Sequence, residues 1–219
     1  MKDTILSVDL STETSPVVQE VRGREYIEYS DASGEWKNLY PNFLIDLYNT
    51  SSTHAAIVNT TSEMIAGEDI LVDENDNLEQ FVKLKKFFAQ ANGKETLHEV
   101  IKKISFDFKL QGAYALHIIY NKARTEISEI YHIGVEKIRA GKPNAMGVID
   151  TYYVCADWMY CINLLRNTGL YSPNMDVYHT PDYQAATCWI LTDSKVSEYM
   201  LNIISNGFSG THLISFANG

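Results

Sequence analysis

Residues 96–120, TLHEVIKKISFDFKLQGAYALHIIY, contain a change from helical to strand-like patterning. Thr96 and Glu99 have the spacing of a capping box, in which two residues satisfy each other's backbone N–H groups at a helix start. A wide apolar stripe follows at helical spacing, formed by Leu97, Val100, Ile101, Ile104 and Phe108. Gly112 predicts the helix end, and residues 114–120 have the composition of a strand. The segment therefore predicts a helix that leads directly into a sheet.

Three further helices are predicted upstream of this segment. Residues 41–48 form a short helix with Pro41 in its first turn, and residues 53–66 form a second, with N-caps at 51–53 and a stop at Gly67. One face of this second helix holds Ile57, Thr61, Met64 and Ile65. The third helix begins after Asn77 and ends at Asn92-Gly93. Its residues at helical spacing are Leu78, Phe81, Val82, Lys85 and Phe88.

Downstream, strands dominate before a last helix. Residues 114–120 and 127–133 predict a hairpin, 148–154 a third strand, and 162–180 a loop. The last helix spans 194–206, stops at Gly207 and is followed by a short strand at 213–216; its apolar residues are Val196, Tyr199, Met200, Ile203 and Ile204. This order fits an α+β fold better than a doubly wound one.

Two regions are predicted along the chain. Residues 1–35 are polar and are expected to form an irregular N-terminal arm, with 26–29 as a possible short strand. Residues 36–219 form the α+β region, whose last two residues, Asn218-Gly219, are a turn signal.

The composition limits the partners that the chain can have. The 219 residues carry a formal net charge of −10 and a pI of about 5.0, without the basic excess of a protein that grips DNA phosphates. Either nucleic acid is not a partner, or DNA slides past without being held. The three cysteines, Cys155, Cys161 and Cys188, are odd in number and widely spaced, which predicts reduced thiols. Neither a signal peptide nor a membrane span is evident in the sequence.

The sequence contains few candidates for chemistry. His117 and His132 lie on the two strands of the predicted hairpin, where they form either a metal site or, as we favour, a plain cross-strand pair. Residues 68–77 are acidic but lack the glycine of a calcium loop, so a solvated loop is the better interpretation. A thiol–imidazole pair of Cys161 and His179 has no orienting third group. No phosphate-binding loop or dinucleotide fingerprint is present, so we predict no cofactor and no catalytic residue.

Several stretches, taken together and in this order, resemble phage portal proteins, especially those of tailed phages of Bacteroidetes-type hosts. The resemblance covers residues 36–219 and is carried by residues 38–49, 52–59, 64–67, 110–116, 130–133, 152–158, 181–186, 206–208 and 214–219. In that family the last helix is usually followed by Asn-Gly-x-x-Pro-Ser, whereas Ser209-Gly210-Thr211 stands here. Portal chains also usually run to roughly twice this length, so we expect a chain that corresponds to the N-terminal half and is truncated at its C-terminus.

The resemblance implies a structural subunit of a portal ring, a dodecamer at one capsid vertex, and not an enzyme. Such a ring contacts the terminase motor, the capsid and the tail connector, and double-stranded DNA passes through it during packaging and ejection without sequence-specific binding. The implied location is the virion, and the host cytoplasm during assembly, with no membrane contact. An acidic wall repeated around the ring repels phosphates and eases passage of DNA.

Within such a ring, the last helix is the candidate for contacts between subunits, through Val196, Tyr199, Met200, Ile203 and Ile204. The same residues are equally compatible with an ordinary intramolecular core. Two other functions remain open: another phage head–tail adaptor or binding module, and a small metal-dependent enzyme that uses His117 and His132.

Overall fold

A computed structural model describes residues 18–23, 25–31, 38–72, 77–154, 160–162, 165–173 and 175–205. Within them the helices are α1 Tyr40–Thr50, α2 Ser52–Ala66, α3 Leu78–Ala89, α4 Leu97–Gln111 and α5 Thr187–Ser205. The strands are β1 Val18–Arg22, β2 Ile27–Asp31, β3 Ala113–Tyr120, β4 Ile127–Ile133, β5 Ile138–Ala140, β6 Tyr152–Val154, β7 Tyr160–Ile162 and β8 Leu165–Gly169. They form three small antiparallel sheets, β1-β2, β4-β3-β8 and β5-β6-β7. The predicted α+β class is confirmed.

The predicted change from helix to strand at residues 96–120 is confirmed in detail. The Glu99 N–H donates to the Thr96 hydroxyl oxygen at 3.2 Å, and the Thr96 N–H donates to the Glu99 carboxylate at 2.7 Å. Gly112 follows α4 with a φ of 75°, in the left-handed region that favours glycine. A Cβ at Gly112 would lie 2.3 Å from the carbonyl of Thr180, so this residue also permits a close approach of two backbone segments.

The helices before this segment agree with the sequence except at one end. Ser51 caps α2 by accepting from the His54 N–H at 3.2 Å, and Asn77 caps α3 by accepting from the Gln80 N–H at 3.1 Å. Helix α3 ends at Ala89, before the predicted Asn92-Gly93 stop. The reason is that the Asn92 side chain accepts two backbone N–H groups of its own turn and donates to the Ile130 carbonyl of β4, so the chain has already left the helix.

Three predictions after β4 were wrong in extent. The third strand spans Tyr152–Val154 instead of 148–154, and residues 165–169, predicted as loop, form β8 against β3. Helix α5 begins at Thr187, seven residues before the predicted 194. The sequence of β8, LRNTG, is polar and lacks the pattern that predicts a strand. It forms a strand because it pairs with β3. The strand predicted at 213–216 lies outside the described residues.

Residues 18–31 correct the prediction of an irregular arm. Residues 18–22 and 27–31 pair in the β1–β2 hairpin, which confirms the possible strand at 26–29, although residues 1–17, 24 and 32–35 lie outside the described part of the chain. Val18, Ile27 and Tyr29 belong to the main core, together with residues of α1. A hairpin too short to be stable alone is thus stabilised by burial against the body. The division at residue 35 itself stays a prediction.

Polar groups fasten the hairpin to a segment far along the chain. The Glu20 carboxylate accepts the backbone N–H groups of Asp176, Val177 and Tyr178 at 3.1, 2.8 and 2.6 Å. The Tyr178 ring stacks on Tyr29 with centroids 4.0 Å apart, and its hydroxyl donates to the Ile27 carbonyl at 2.5 Å. The hairpin therefore combines apolar burial with charge-assisted hydrogen bonds, which are stronger than neutral ones.

A buried arginine completes this junction. Arg139 of β5 is fully buried, donates through Nε to the Asn38 side chain at 2.6 Å, and lies over the Tyr29 ring at 5.1 Å. Burial lowers the pKa of its guanidinium from the ordinary value. The Nε, Nη1 and Nη2 atoms of this guanidinium all donate hydrogen bonds, so the junction stabilises a charge that would otherwise be costly to bury.

No helix within the described residues is long and apolar enough to cross a membrane.

Candidate functional site

Helix α5 is joined to the body by its first two turns. Thr187 and Ile190 are buried, and the Ser51 hydroxyl donates to the Asp193 carboxylate at 2.7 Å, which links α5 to the start of α2. The Thr187 hydroxyl donates to the Gln184 carbonyl at 2.6 Å and holds the helix on the preceding 3₁₀ turn. The contacts of α5 with the body are therefore concentrated before residue 194.

Beyond Asp193, α5 exposes a series of large apolar side chains. Tyr199 is 64% exposed, Ile204 63%, and Val196 and Met200 54% each; Ile203 is partly buried. These are the five residues predicted to pack between subunits. Four of the five are exposed, so these four do not belong to an intramolecular core. Their contact with another subunit stays a prediction. Exposed apolar residues that are contiguous are typical of interaction surfaces.

The end of α5 is exposed on more than one side: Leu201 and Ile204, on the side of Thr187 and Ile190, are 64% and 63% exposed, and the other exposed apolar residues lie on the side away from the body. At about 100° per residue, Val196, Tyr199, Met200 and Ile203 point roughly opposite to the buried Thr187 and Ile190. Trp189 is 77% exposed and lies on the same side as Val196, two helical turns before it. Because the predicted helix began at 194, sequence reasoning missed Trp189; extending the apolar spacing back by seven residues would have found it.

Helix α2 also directs its apolar face outward. Its buried residues are His54, Val58, Ser62 and Ala66, spaced four apart, and the helix packs on α4. The predicted face of Ile57, Thr61, Met64 and Ile65 is a single face, but its three large apolar residues are more than half exposed. Close packing of two helices favours small residues such as Ser62, Ala66 and, on α4, Ser105, which explains why the less apolar face is buried.

Between α2 and α5 lies an open, mostly apolar cleft of about 240 Å³. His54 and Ile57 line it from α2, Trp189 and Ile190 from α5, and Tyr183 lies between them. His54 is only 5% exposed and packs edge-on against Tyr183, with ring centroids 4.4 Å apart. Its Nε2 atom is buried without a hydrogen-bond partner among the residues that the structure describes, which is unusual for a buried polar atom. Burial, and to a lesser degree the positive charge of Lys109, lowers the pKa of His54.

The hairpin histidines do not come together. In the register of β3 and β4, His132 pairs with Leu116 and His117 with Tyr131, so the two histidines point to opposite faces of the sheet. Both the metal-site and the cross-strand-pair interpretations were therefore wrong, because they depend on a register one residue away. His132 instead bonds through Nε2 to the Asp107 carboxylate at 2.7 Å and ties β4 to α4.

Other predicted candidates stay apart or lie outside the described residues. Among the residues that the structure describes, no group of three His, Cys, Asp or Glu side chains is arranged to hold a metal ion. Residues 73–76 of the acidic loop, Cys155 and the Cys161 side chain lie outside the described parts, whereas Cys188 is half-buried in α5. His179 bonds through Nδ1 to the Leu170 carbonyl at 2.7 Å.

Comparison with known proteins gives similarity at the level of structure only. No protein-family model matches the sequence, and a comparison with curated proteins finds no similar sequence. The chain is similar in fold to a chain in the neck of an empty GTA particle computed with C6 symmetry (TM-score 0.64, 12% identity, 80% of this chain and 52% of that one). It is also similar to a chain in the neck of the native GTA particle computed with C12 symmetry (TM-score 0.59, 13% identity, 78% and 51%).

A third similar chain comes from the virion of the native gene transfer agent (GTA) particle, with a TM-score of 0.60, 13% identity, and coverage of 81% of this chain and 52% of that one. The present chain thus spans about half the length of the structures that it matches. At this level of identity the similarity establishes a shared fold.

Proposed function

We propose that the chain is a structural subunit of a phage portal ring, the channel at a capsid vertex through which DNA is packaged and ejected. The observation that carries the proposal is the shared fold with chains of GTA necks, one of them computed with C12 symmetry. The order of the stretches that resemble portal proteins points to the same function. Terminase, capsid and tail-connector proteins are the proposed partners, and the virion and the host cytoplasm during assembly the proposed locations.

The proposed role is mechanical and needs no catalytic group. A ring repeats each subunit's charge around its axis, so a net charge of −10 per chain makes an acidic assembly that repels DNA phosphates. Such a channel lets a polyanion pass, whereas a DNA-gripping protein would neutralise phosphates with lysine and arginine. The exposed apolar end of α5 supplies a surface for the neighbouring subunit, through Val196, Tyr199, Met200, Ile203 and Ile204.

Mass measurement and imaging of the purified chain test this proposal. We expect a closed ring with a central opening, visible in negative-stain class averages and with a mass that is a multiple of 24.8 kDa in native mass spectrometry. Duplex DNA should not be retained by the protein at about 0.1 M salt, where phosphate-binding proteins still bind. A chain that stays monomeric at every concentration, or that binds duplex DNA tightly, would contradict the proposal.

A further inference from the structure

We infer that the cleft between α2 and α5 is the receiving half of a contact between copies of this chain, and that the exposed end of α5 from the next copy is the inserting half. This inference rests on the ring function proposed above and identifies the surfaces and residues that would build the ring. The receiving surface consists of the cleft with Trp189 and the outward apolar face of α2, Ile57, Met64 and Ile65. The inserting surface consists of Val196, Tyr199, Met200 and Ile203.

One copy cannot bring its own two surfaces together. The hydrogen bond between Ser51 and Asp193 marks where the start of α2 meets α5. From this contact, α2 runs toward the part of the cleft where Ile57 and Trp189 lie. Helix α5 after Asp193 runs in the opposite direction. The two apolar surfaces therefore lie on opposite sides of the Ser51–Asp193 contact. Different surfaces that meet between copies make a head-to-tail interface, which closes into a ring when the rotation allows it.

Charge favours these surfaces as the place where copies meet. Two chains that each carry a net charge of −10 repel one another, so contact is least costly where ionisable groups are few. Helix α2 contains a single carboxylate, Glu63, and no lysine or arginine. In the exposed part of α5, Lys195 and Glu198 pair with each other at 3.2 Å. Depletion of charge with aromatic residues and methionine present is the composition of an interface core.

The unpartnered nitrogen of His54 indicates what the cleft receives. His54 lines a mostly apolar cleft and its buried Nε2 atom has no hydrogen-bond partner among the described residues, so a ligand with an apolar body and a polar tip would satisfy this atom once the ring turns toward the cleft. On the inserting surface Tyr199 has this combination, since its hydroxyl ends an aromatic side chain that is 64% exposed. A cavity of roughly 150 Å³ holds benzene, so a cleft of about 240 Å³ accommodates a tyrosine ring. The inference places the hydroxyl of Tyr199 from the next copy at Nε2 of His54.

Two charge variants and their mixture test the head-to-tail contact. Met200→Asp removes the inserting surface and Ile57→Asp the receiving one; both residues are more than half exposed, so the fold should persist, as circular dichroism and thermal unfolding will check. Each variant alone is expected to be monomeric by sedimentation velocity. Their equimolar mixture should form a dimer and nothing larger, because one intact interface remains between the two variants and neither can extend it. Leu78→Asp on α3, which is also exposed, is the control and should assemble as the wild type does.

The hydrogen bond is tested separately by Tyr199→Phe in the wild-type and His54→Phe backgrounds. We expect the association to weaken between about two- and tenfold in the first background and not at all in the second. If either aspartate variant unfolds, Met200→Ser and Ile57→Ser replace the pair.

The outcomes separate this inference from the ring function. A wild-type ring that both aspartate variants still form overturns the inference and leaves the ring function standing. An Ile57→Asp variant that assembles alone, in a mixture where Met200→Asp stays monomeric, also overturns it, because that pattern indicates a contact between two α5 helices. A wild-type chain that is monomeric at all concentrations overturns both.

Discussion

The β1–β2 hairpin uses both its apolar and its polar side chains for contacts inside the chain, whereas α5 uses mainly those of its first two turns. Val18 and Tyr29 enter the core and Glu20 binds three backbone N–H groups. In α5, Ile190 is buried but Val196 and Met200 are not. The hairpin thus stabilises the folded chain, and the end of α5 contributes little to it. The difference separates residues needed for folding from residues available for assembly.

The hairpin contacts residues 176–178 through Glu20, and α5 begins at Thr187. The segment that joins these two contacts passes Gly112 at Thr180, so replacement of this glycine should have the largest effect. In Gly112→Ala, the new Cβ would lie 2.3 Å from the Thr180 carbonyl and 2.6 Å from the Pro181 nitrogen, which are backbone atoms and cannot move aside cheaply. We expect a loss of more than about 3 kcal/mol in the free energy of unfolding, measured by urea denaturation.

Gly147→Ala is the matched control for this change. Gly147 also has a positive φ, of 77°, but a Cβ added there would have no neighbouring atom within 4 Å. Its replacement should cost about 1–2 kcal/mol, the ordinary left-handed penalty. Equal losses in the two variants would show that the approach of Thr180 is unimportant.

The second prediction divides α5 into its two parts. Ile190→Ala removes a buried side chain of the docked part and should lower the free energy of unfolding by about 2–3 kcal/mol. Met200→Ala, on the exposed part of the same helix, should change it by less than about 0.5 kcal/mol. The measurement is chemical denaturation at a protein concentration low enough for the monomer. A loss of similar size in Met200→Ala would mean that the end of α5 is packed inside the chain.

The third prediction concerns the polar attachment of the hairpin. Glu20→Ala leaves the N–H groups of Asp176, Val177 and Tyr178 without their acceptor, and should cost about 1–2 kcal/mol because these groups are only partly buried. The neighbouring Gln19→Ala, at an exposed position of the same strand, should be neutral. Amide hydrogen exchange at residues 176–178 should accelerate in the first variant alone; unchanged protection there would contradict the role of Glu20.

The smallest effect is expected from His54, at the cleft between the two helices. Burial lowers its pKa in the folded chain, so below the ordinary value of about 6.5 the unfolded chain binds this proton more readily. The free energy of unfolding should therefore fall as the pH decreases from 7 to 5. In His54→Phe, which keeps a ring against Tyr183, the decrease should be smaller. An identical pH dependence in both proteins would show that His54 is not desolvated.

The sequence predicted best those features that depend on residues close to one another in the chain. The capping box of Thr96 and Glu99, the Ser51 cap and the stop at Gly112 were all predicted, because each depends on hydrogen bonds between residues at most four positions apart. Strand β8 and the start of α5 were missed, since β8 is a strand only through its pairing with β3. The interpretations of His117 and His132 failed because a register shift of one residue reverses the face of a side chain.

The candidate site was predictable only in part. The apolar spacing of Val196, Tyr199 and Met200 is visible in the sequence, but the same spacing describes a buried helix and an exposed one. Helix α2 shows the same ambiguity, since Ile57, Met64 and Ile65 have the pattern of a core face and point outward. Whether an apolar stripe is covered depends on what lies opposite to it, which a local pattern does not contain.

The sequence by itself determined the five helices, the caps of α2, α3 and α4, the main hairpin and the α+β class, because backbone hydrogen bonds and caps are set by neighbouring residues. Only the tertiary structure decided which faces are buried, where Glu20 finds its three N–H donors, and that His54 and Trp189 share a cleft. Glu20 and Val177 are 157 positions apart. Contacts over such distances exist only after the chain has folded, when burial of the core compensates for the entropy of bringing them together.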